Sequence, residues 1–220
     1  MFWNSKPIVS DDMMGWIHES YDWVDTHRPN WTKAAQLITP TREFFDVPKG
    51  QNQATAQTIA NRIAQLMALD VQITVDPLPK IDAQWRHDYT SLGEVAGEYH
   101  HDPLNPLIRY NPELMAQPIQ FINTMAHELM HARLADIVDR LPGGYEAHEL
   151  ATDLHCIIAG FGCFQLQAAE QAGWSGYMTQ PSRAAALAVF LERRGLEPMD
   201  AEPFLSARPR KWLNKAWKQI

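Results

Sequence analysis

Apolar side chains recur at helical spacing in several stretches of the chain. After the start signal Ser10-Asp11-Asp12, Trp16 and Trp23 lie two helical turns apart, with an apolar neighbour beside each. A similar spacing of apolar residues continues in three later segments. The pattern predicts amphipathic helices over residues 11–26, 53–69, 119–140 and 184–194.

Shorter segments carry the pattern of β-strands. Residues 71–75 alternate apolar and polar side chains, and 94–100 and 107–110 are further candidate strands, separated by Asp-Pro and Asn-Pro dipeptides. Residues 76–92 are expected to form a loop. Helices around a small sheet indicate an α+β fold, and we expect the sheet to be mostly antiparallel.

The N-terminal segment differs in composition from the rest. Four of the eight tryptophans fall within the first 31 residues. We therefore predict a Trp-rich N-terminal extension over residues 1–50, packed on a domain formed by residues 51–220.

Bulk composition restricts the class of protein. Hydrophobic residues make up 45% of the 220 residues and charged residues 20%, which is typical of a globular protein with its own core. The formal net charge of −7 argues against a nucleic-acid-binding surface, since phosphate contacts need clustered Lys and Arg. No apolar run is long enough for a transmembrane segment, and the N-terminus lacks the features of a signal peptide, so we expect a cytoplasmic protein.

The strongest chemical signal is a histidine pair within the predicted helix 119–140. His127-Glu128-x-x-His131 places two imidazoles on one helix face, where both can bind one metal ion. The Pro142-Gly143-Gly144 break ends this helix, and a second helical stretch starts near Tyr145. Two helices joined by so short a turn can lie side by side.

The second helix supplies candidates for a third ligand. Glu149 is the best candidate, and Asp153, one turn later, is placed to accept the free N–H of a ligand histidine. His148 could replace Glu149 and create a three-histidine site, but Asp153 would then lose its spacing of four residues from the ligand. The competing interpretation is that two amphipathic helices merely carry solvated histidines and acids.

The run from 123 to 155 resembles the gluzincin class of zinc metallopeptidases, in particular its minimal members with a short connection between the two helices. The resemblance implies a zincin-like fold in which His127, His131 and Glu149 bind one Zn²⁺ per chain and Glu128 is the general base. It leaves the transition-state stabiliser open; Tyr145, His100 and Tyr99 are rival candidates.

A weaker likeness lies upstream of the metal helix, in Gly97-Glu-Tyr99 and Leu107-Ile-Arg-Tyr-Asn111. In such peptidases an edge strand commonly runs beside the cleft and pairs with an extended substrate. We expect the second segment, with Arg109 and Tyr110, to be that edge strand; the alternative is an interior strand paired on both sides.

The function expected from this resemblance is hydrolysis of peptide bonds in a peptide or protein substrate, by a metal-activated water with Glu128 as base. The alternative is a non-catalytic, zinc-stabilised protein-binding or regulatory module with the same fold. A base beside the metal favours the enzyme, because a structural zinc has no need of one.

The C-terminal segment 208–220 contains five Lys or Arg and no acid, with apolar residues interleaved. A basic amphipathic helix of this kind can contact an acidic partner or a membrane surface. The simpler interpretation, which we favour, is a terminal helix that packs its apolar side on the domain.

Overall fold

The computed structural model of the chain describes residues 6–47, 49–79, 96–102, 106–171 and 177–220. Helices surround a three-stranded sheet, so the α+β class predicted from the sequence is confirmed. The α-helices are α1 Asp11–His27, α2 Pro29–Ala34, α3 Gln53–Leu66, α4 Pro118–Leu134, α5 His148–Cys156, α6 Gly162–Gln171, α7 Gln180–Arg193, α8 Pro198–Ala201 and α9 Ala207–Trp217.

The first helices begin at the residues that the sequence indicates. The Ser10 hydroxyl accepts a hydrogen bond from the backbone of Met13 at the start of α1, and Asn52 caps α3 in the same way through Thr55. Helix α1 packs against α7 and buries Ile17, Tyr21 and Val24 in the core. The N-terminal segment therefore contributes to the hydrophobic core.

The sheet contains β1 Thr74–Pro77, β2 Gly97–His100 and β3 Leu107–Tyr110, in the order β1-β3-β2. The β2–β3 pair is antiparallel and the β1–β3 pair is parallel, so the sheet is mixed. Part of the predicted loop 76–92 and the start of the predicted strand 94–100 lie outside the described residues.

The expectation that residues 107–111 form an edge strand is wrong. Strand β3 pairs on both sides, with Arg109 opposite Glu98 on one side and Asp76 on the other. The physical reason is non-local pairing: β1 lies far upstream in the chain and occupies the second side of β3. The alternation of buried Ile108 and Tyr110 with exposed Arg109 shows only that one face packs on the core, which an edge strand and a central strand share. Strand β2 lines the cleft instead.

The two motif-bearing helices are α4 and α5. The connection between them contains short 3-10 turns at Val138–Arg140 and Tyr145–Ala147 and reverses at Gly143 and Gly144, both of which have positive φ. The Trp16 indole of α1 donates a hydrogen bond to the carbonyl of Pro142, 2.9 Å away. This hydrogen bond ties the turn to helix α1.

A single turn of π-helix, Ile157–Phe161, separates α5 from α6. Gly160 within it has φ 103°, and a Cβ at this position would clash with the carbonyl oxygen of Gln36. The Gly160 carbonyl accepts a hydrogen bond from Ile38, which pins the extended segment after α2 against the bend. The chain is kinked at this turn, and α6 packs against α7.

Helix α7 is buried over most of its length, and α9 packs against it. Helix α9 buries Pro209, Leu213 and Ala216 and leaves its basic residues outside, which fits the simpler interpretation of the C-terminal segment. Within the part of the chain that the structure describes, no helix is both long and apolar enough to span a membrane.

Candidate metal centre

Three side chains from two helices meet at one point. His127 and His131 lie one turn apart on α4, and their Nε2 atoms are 3.2 Å apart. Glu149, from the first turn of α5, places Oε2 3.2 Å from His127 Nε2 and 3.5 Å from His131 Nε2. Among the described His, Cys, Asp and Glu residues, these three form the group able to hold a metal ion.

The remote nitrogen of each histidine is also in contact with a polar group. His127 Nδ1 lies 3.0 Å from Asp153 Oδ1, where it donates a hydrogen bond. His131 Nδ1 lies 3.5 Å from Thr152 Oγ1, whose own proton is donated to the His148 carbonyl. Both contacts favour the tautomer that carries the proton on Nδ1, so both Nε2 lone pairs face the common point.

Electrostatics at this point favour a cation. Burial opposes the charged form of His127, but hydrogen bonds with Asp153 and Glu149 outweigh it and raise the pKa of His127 to about 10. Burial alone would raise the pKa of Glu149, yet its contacts with His127 and His131 lower it well below the usual range. A proton and a metal ion therefore compete for the same group of donor atoms.

Glu128 lies next to the three side chains and is 7% exposed. Burial raises the pKa of its carboxyl group, although the nearby charges of His127 and His131 act in the opposite direction. The carboxylate accepts a hydrogen bond from the backbone N–H of Tyr99 in β2. A carboxylate held in place with a raised pKa suits a general base.

Strand β2 approaches α4 closely because residue 97 is glycine. A Cβ on Gly97 would lie 2.8 Å from Thr124 Cγ2 and 2.9 Å from Glu128 Cγ, closer than packed carbon atoms tolerate. The missing side chain allows the strand to lie directly beside Glu128.

The three side chains lie in a cleft with a volume of about 1210 Å³. Its walls are one face of α4, the side of α5 that carries Glu149 and Asp153, and β2 with the residues directly before and after it. Along α4 the lining runs from Asn123 past the two histidines to Leu134, and it ends at an apolar patch that includes Val138.

The three candidate stabilisers named from the sequence all line this cleft. The Tyr99 ring lies parallel to His131, with centroids 6.4 Å apart, but its hydroxyl is 3.2 Å from His101 Nδ1. The Tyr145 ring stacks on His148 and is 64% exposed. The His100 side chain is exposed, and its Nε2 lies 3.2 Å from Glu98 Oε2.

His148, the alternative third ligand, lies at the rim of the site. Its Nδ1 donates to the Tyr145 carbonyl at 3.0 Å, and its Nε2 lies 3.1 Å from Glu149 Oε1. Glu149 Oε2, in contrast, faces both ligand histidines. The geometry therefore favours Glu149 as the third donor.

Sequence reasoning missed three residues around the site: Thr152, Tyr177 and Arg183. The Tyr177 ring lies parallel to His127 with centroids 6.4 Å apart, and its phenol pKa is raised by the charge of Glu149, by burial and by Asp153 and Glu128. Thr152 could have been found by its spacing of three residues from Glu149, which puts both on one face of the helix. The other two residues lie far along the chain with no motif around them.

Comparisons of the chain with protein-family models, with curated proteins and with solved structures give no match. The likeness to gluzincins therefore depends on the motif and on the arrangement of these side chains.

Proposed function

We propose that the protein is a zinc-dependent metallopeptidase with Glu128 as its general base. The observation that carries the proposal is the convergence of His127, His131 and Glu149 in an open cleft, with the Glu128 carboxylate beside them. A site that only stabilised the fold would need a fourth protein ligand and no adjacent base.

The donor atoms fit zinc in type and in spacing. Zinc accepts imidazole and carboxylate ligands in a tetrahedron at about 2.0–2.2 Å, which places ligand atoms about 3.3–3.6 Å from one another. The separations of 3.2, 3.2 and 3.5 Å between the three donors lie close to this range. Three protein donors leave the fourth position for water or substrate.

When bound, zinc lowers the pKa of a coordinated water toward neutrality and polarises a substrate carbonyl. Glu128 then accepts the proton of the attacking water and passes it to the leaving amine. The Tyr99 N–H holds the Glu128 carboxylate in position for both transfers. Asp153 and Thr152 keep the proton of each ligand histidine on the nitrogen remote from the metal.

Tyr177 supports the proposal as a donor to the developing oxyanion. Its ring lines the cleft parallel to that of His127, and the charges of Glu149, Asp153 and Glu128 raise the pKa of its phenol. The pKa of Tyr99 responds instead, after burial, to Asp136, and its hydroxyl lies against His101. A raised pKa keeps the Tyr177 phenol protonated and able to donate.

The cleft suits an extended peptide. The lining residues of α4 from Asn123 to Leu134 extend over about 16 Å of helix at about 1.5 Å per residue. At about 3.3 Å per residue, an extended chain of about five residues covers that length. The apolar end formed by Leu134 and Val138 is suited to an apolar substrate side chain.

The test combines metal content with cleavage. Protein purified without chelator should contain about one zinc per chain and cleave members of a quenched-fluorescent hexapeptide library. Glu128→Gln should keep the zinc and lose cleavage, because the amide retains the size of the side chain without its basicity.

Absence of stoichiometric zinc, with no binding of added zinc, would refute the metal centre. Zinc binding without cleavage of any peptide would instead favour the non-catalytic module. Loss of zinc in Glu128→Gln would make Glu128 a ligand and remove it from the role of base.

A further inference from the structure

A buried cation lies directly behind the metal centre. Arg183 of α7 is 1% exposed, and its Nη2 donates to Asp153 Oδ2 at 2.8 Å. Its Nη1 donates to the backbone carbonyl of Gln165 at 2.9 Å and to the side-chain oxygen at 2.6 Å. The guanidinium is thus fixed from two helices at once.

The same guanidinium and carboxylate hold the segment that carries Tyr177. Asp153 Oδ2 accepts hydrogen bonds from the backbone N–H groups of Tyr177 and Met178 at 2.8 and 3.0 Å. Arg183 Nε donates to the Met178 carbonyl at 3.0 Å. The backbone of Met178 is therefore clamped through both its N–H and its carbonyl.

Four hydrogen-bond donors contact the Asp153 carboxylate. Oδ2 receives three donors, which leaves Oδ1 to accept the proton of His127 Nδ1. An apolar pair of similar size would stabilise a core as well as a buried ion pair does, so stability alone does not explain an arginine here. Nη2 of the guanidinium bonds to the carboxylate while Nε and Nη1 hold the Met178 carbonyl and Gln165, so this rigid planar group links three partners, which a point charge does not.

We propose that Arg183 is a positioning residue for the metal centre: it orients the Asp153 carboxylate toward ligand His127 and, through Met178, sets the Tyr177 wall of the cleft. The proposal builds on the proposed function, because it assigns a role toward the metal that the cleft binds. Arg183 affects metal affinity through Asp153, which bonds to His127.

The test is zinc affinity, measured by competition with a chromophoric chelator, for variants of the full-length protein. Arg183→Gln should weaken zinc binding about 10- to 100-fold, the range found when the partner of a ligand histidine is lost. Arg183→Lys keeps the charge but not the planar group and should weaken it about 10-fold. Arg193→Gln is the matched control on the same helix, since Arg193 pairs with Asp22 and Asp25 at the surface, and it should leave the affinity unchanged.

Two readouts separate positioning from general destabilisation. In zinc-saturated protein the His127 Nδ1 proton should give a slowly exchanging signal in ¹H–¹⁵N spectra of the wild type, and in Arg183→Gln this signal should broaden or vanish, because a less firmly held Asp153 protects the proton less from exchange with water. Amide exchange at Tyr177 and Met178 should accelerate at least about 10-fold, a loss of protection worth about 1.4 kcal/mol, without a matching change in α1.

Folded Arg183→Gln or Arg183→Lys protein with wild-type zinc affinity and an unchanged His127 signal would overturn the proposal. If the glutamine variant does not fold, the lysine variant alone decides. Wild-type protein that binds no zinc refutes the metal centre itself. Zinc binding without peptidase activity refutes the proposed reaction and leaves the role of Arg183 standing.

Discussion

Replacing Asp153 by asparagine tests how the proposed metal centre is organised. Four donors converge on this carboxylate: His127 Nδ1 on one oxygen, and the amides of Tyr177 and Met178 together with Arg183 on the other. Asparagine has the same shape but only one acceptor oxygen. That oxygen is expected to stay with the three donors, which turns the amide nitrogen toward His127.

The expected loss of zinc affinity follows from a change in the tautomer of His127. Facing an N–H donor, His127 must accept at Nδ1 and carry its proton on Nε2, the atom that would bind the metal. Zinc affinity should therefore fall at least 10- to 100-fold, about 1.4–2.7 kcal/mol. Arg183 also loses its anionic partner at a position that is 1% exposed, and breaking such a buried pair costs about 3–5 kcal/mol of folding stability.

Chelator competition measures the loss of zinc affinity, and urea unfolding of metal-free protein measures the loss of folding stability. Asp22→Asn is the control, because its ion pair with Arg193 leaves Asp22 68% exposed and such surface pairs contribute about 0–1 kcal/mol. Zinc affinity of Asp153→Asn within about threefold of wild type, equivalent to about 0.6 kcal/mol, would refute the reasoning from tautomers.

Three further predictions concern the cleft and the core. Tyr177→Phe should lower kcat about 10²- to 10³-fold with zinc affinity unchanged, while Tyr145→Phe should have little effect; equal kinetics for the two variants would exclude Tyr177 as the oxyanion donor. Gly97→Ala should lower the stability measured by thermal unfolding by about 1–3 kcal/mol. It should also lower kcat, because the added Cβ would push β2 away from Glu128. An unchanged melting temperature would contradict the close contact between β2 and α4. Burial, and then the charge of Arg133, lowers the pKa of His155 to about 3 from 6.5. As pH falls below 6.5, the unfolded chain takes up a proton that the folded protein does not, so the free energy of unfolding should fall by up to about 1.4 kcal/mol per pH unit. This fall should be steeper in the wild type than in His155→Gln. Equal dependence of the unfolding free energy on pH in both proteins, measured by urea unfolding from pH 6.5 to 4, would contradict this.

Sequence alone determined the features that depend on local geometry. The spacing of four residues between His127 and His131 puts both on one helix face, whatever surrounds the helix. The glycines after Pro142 predict a tight reversal, which brings Glu149 back to the same point. Helix starts such as Ser10 are equally local, because the capping side chain bonds to a backbone amide three residues away.

Tertiary structure decided which strand faces the cleft. Residues 107–110 and 97–100 both have the composition of strands, and nothing within either segment indicates whether it pairs with one strand or with two. Pairing of β3 with both β1 and β2 made it the central strand, and the absence of a side chain at Gly97 brought β2 beside Glu128.

Tertiary structure also decided what surrounds the proposed metal ligands. Tyr177 and Arg183 lie 24 and 30 residues beyond Asp153, yet both bond to its carboxylate. No periodicity links such residues, since their meeting depends on how α6 and α7 pack on α5 after the bend at Gly160. Ligand spacing is a property of one helix or one turn, which the sequence encodes locally, whereas the partners that orient those ligands are set by long-range packing of buried polar groups.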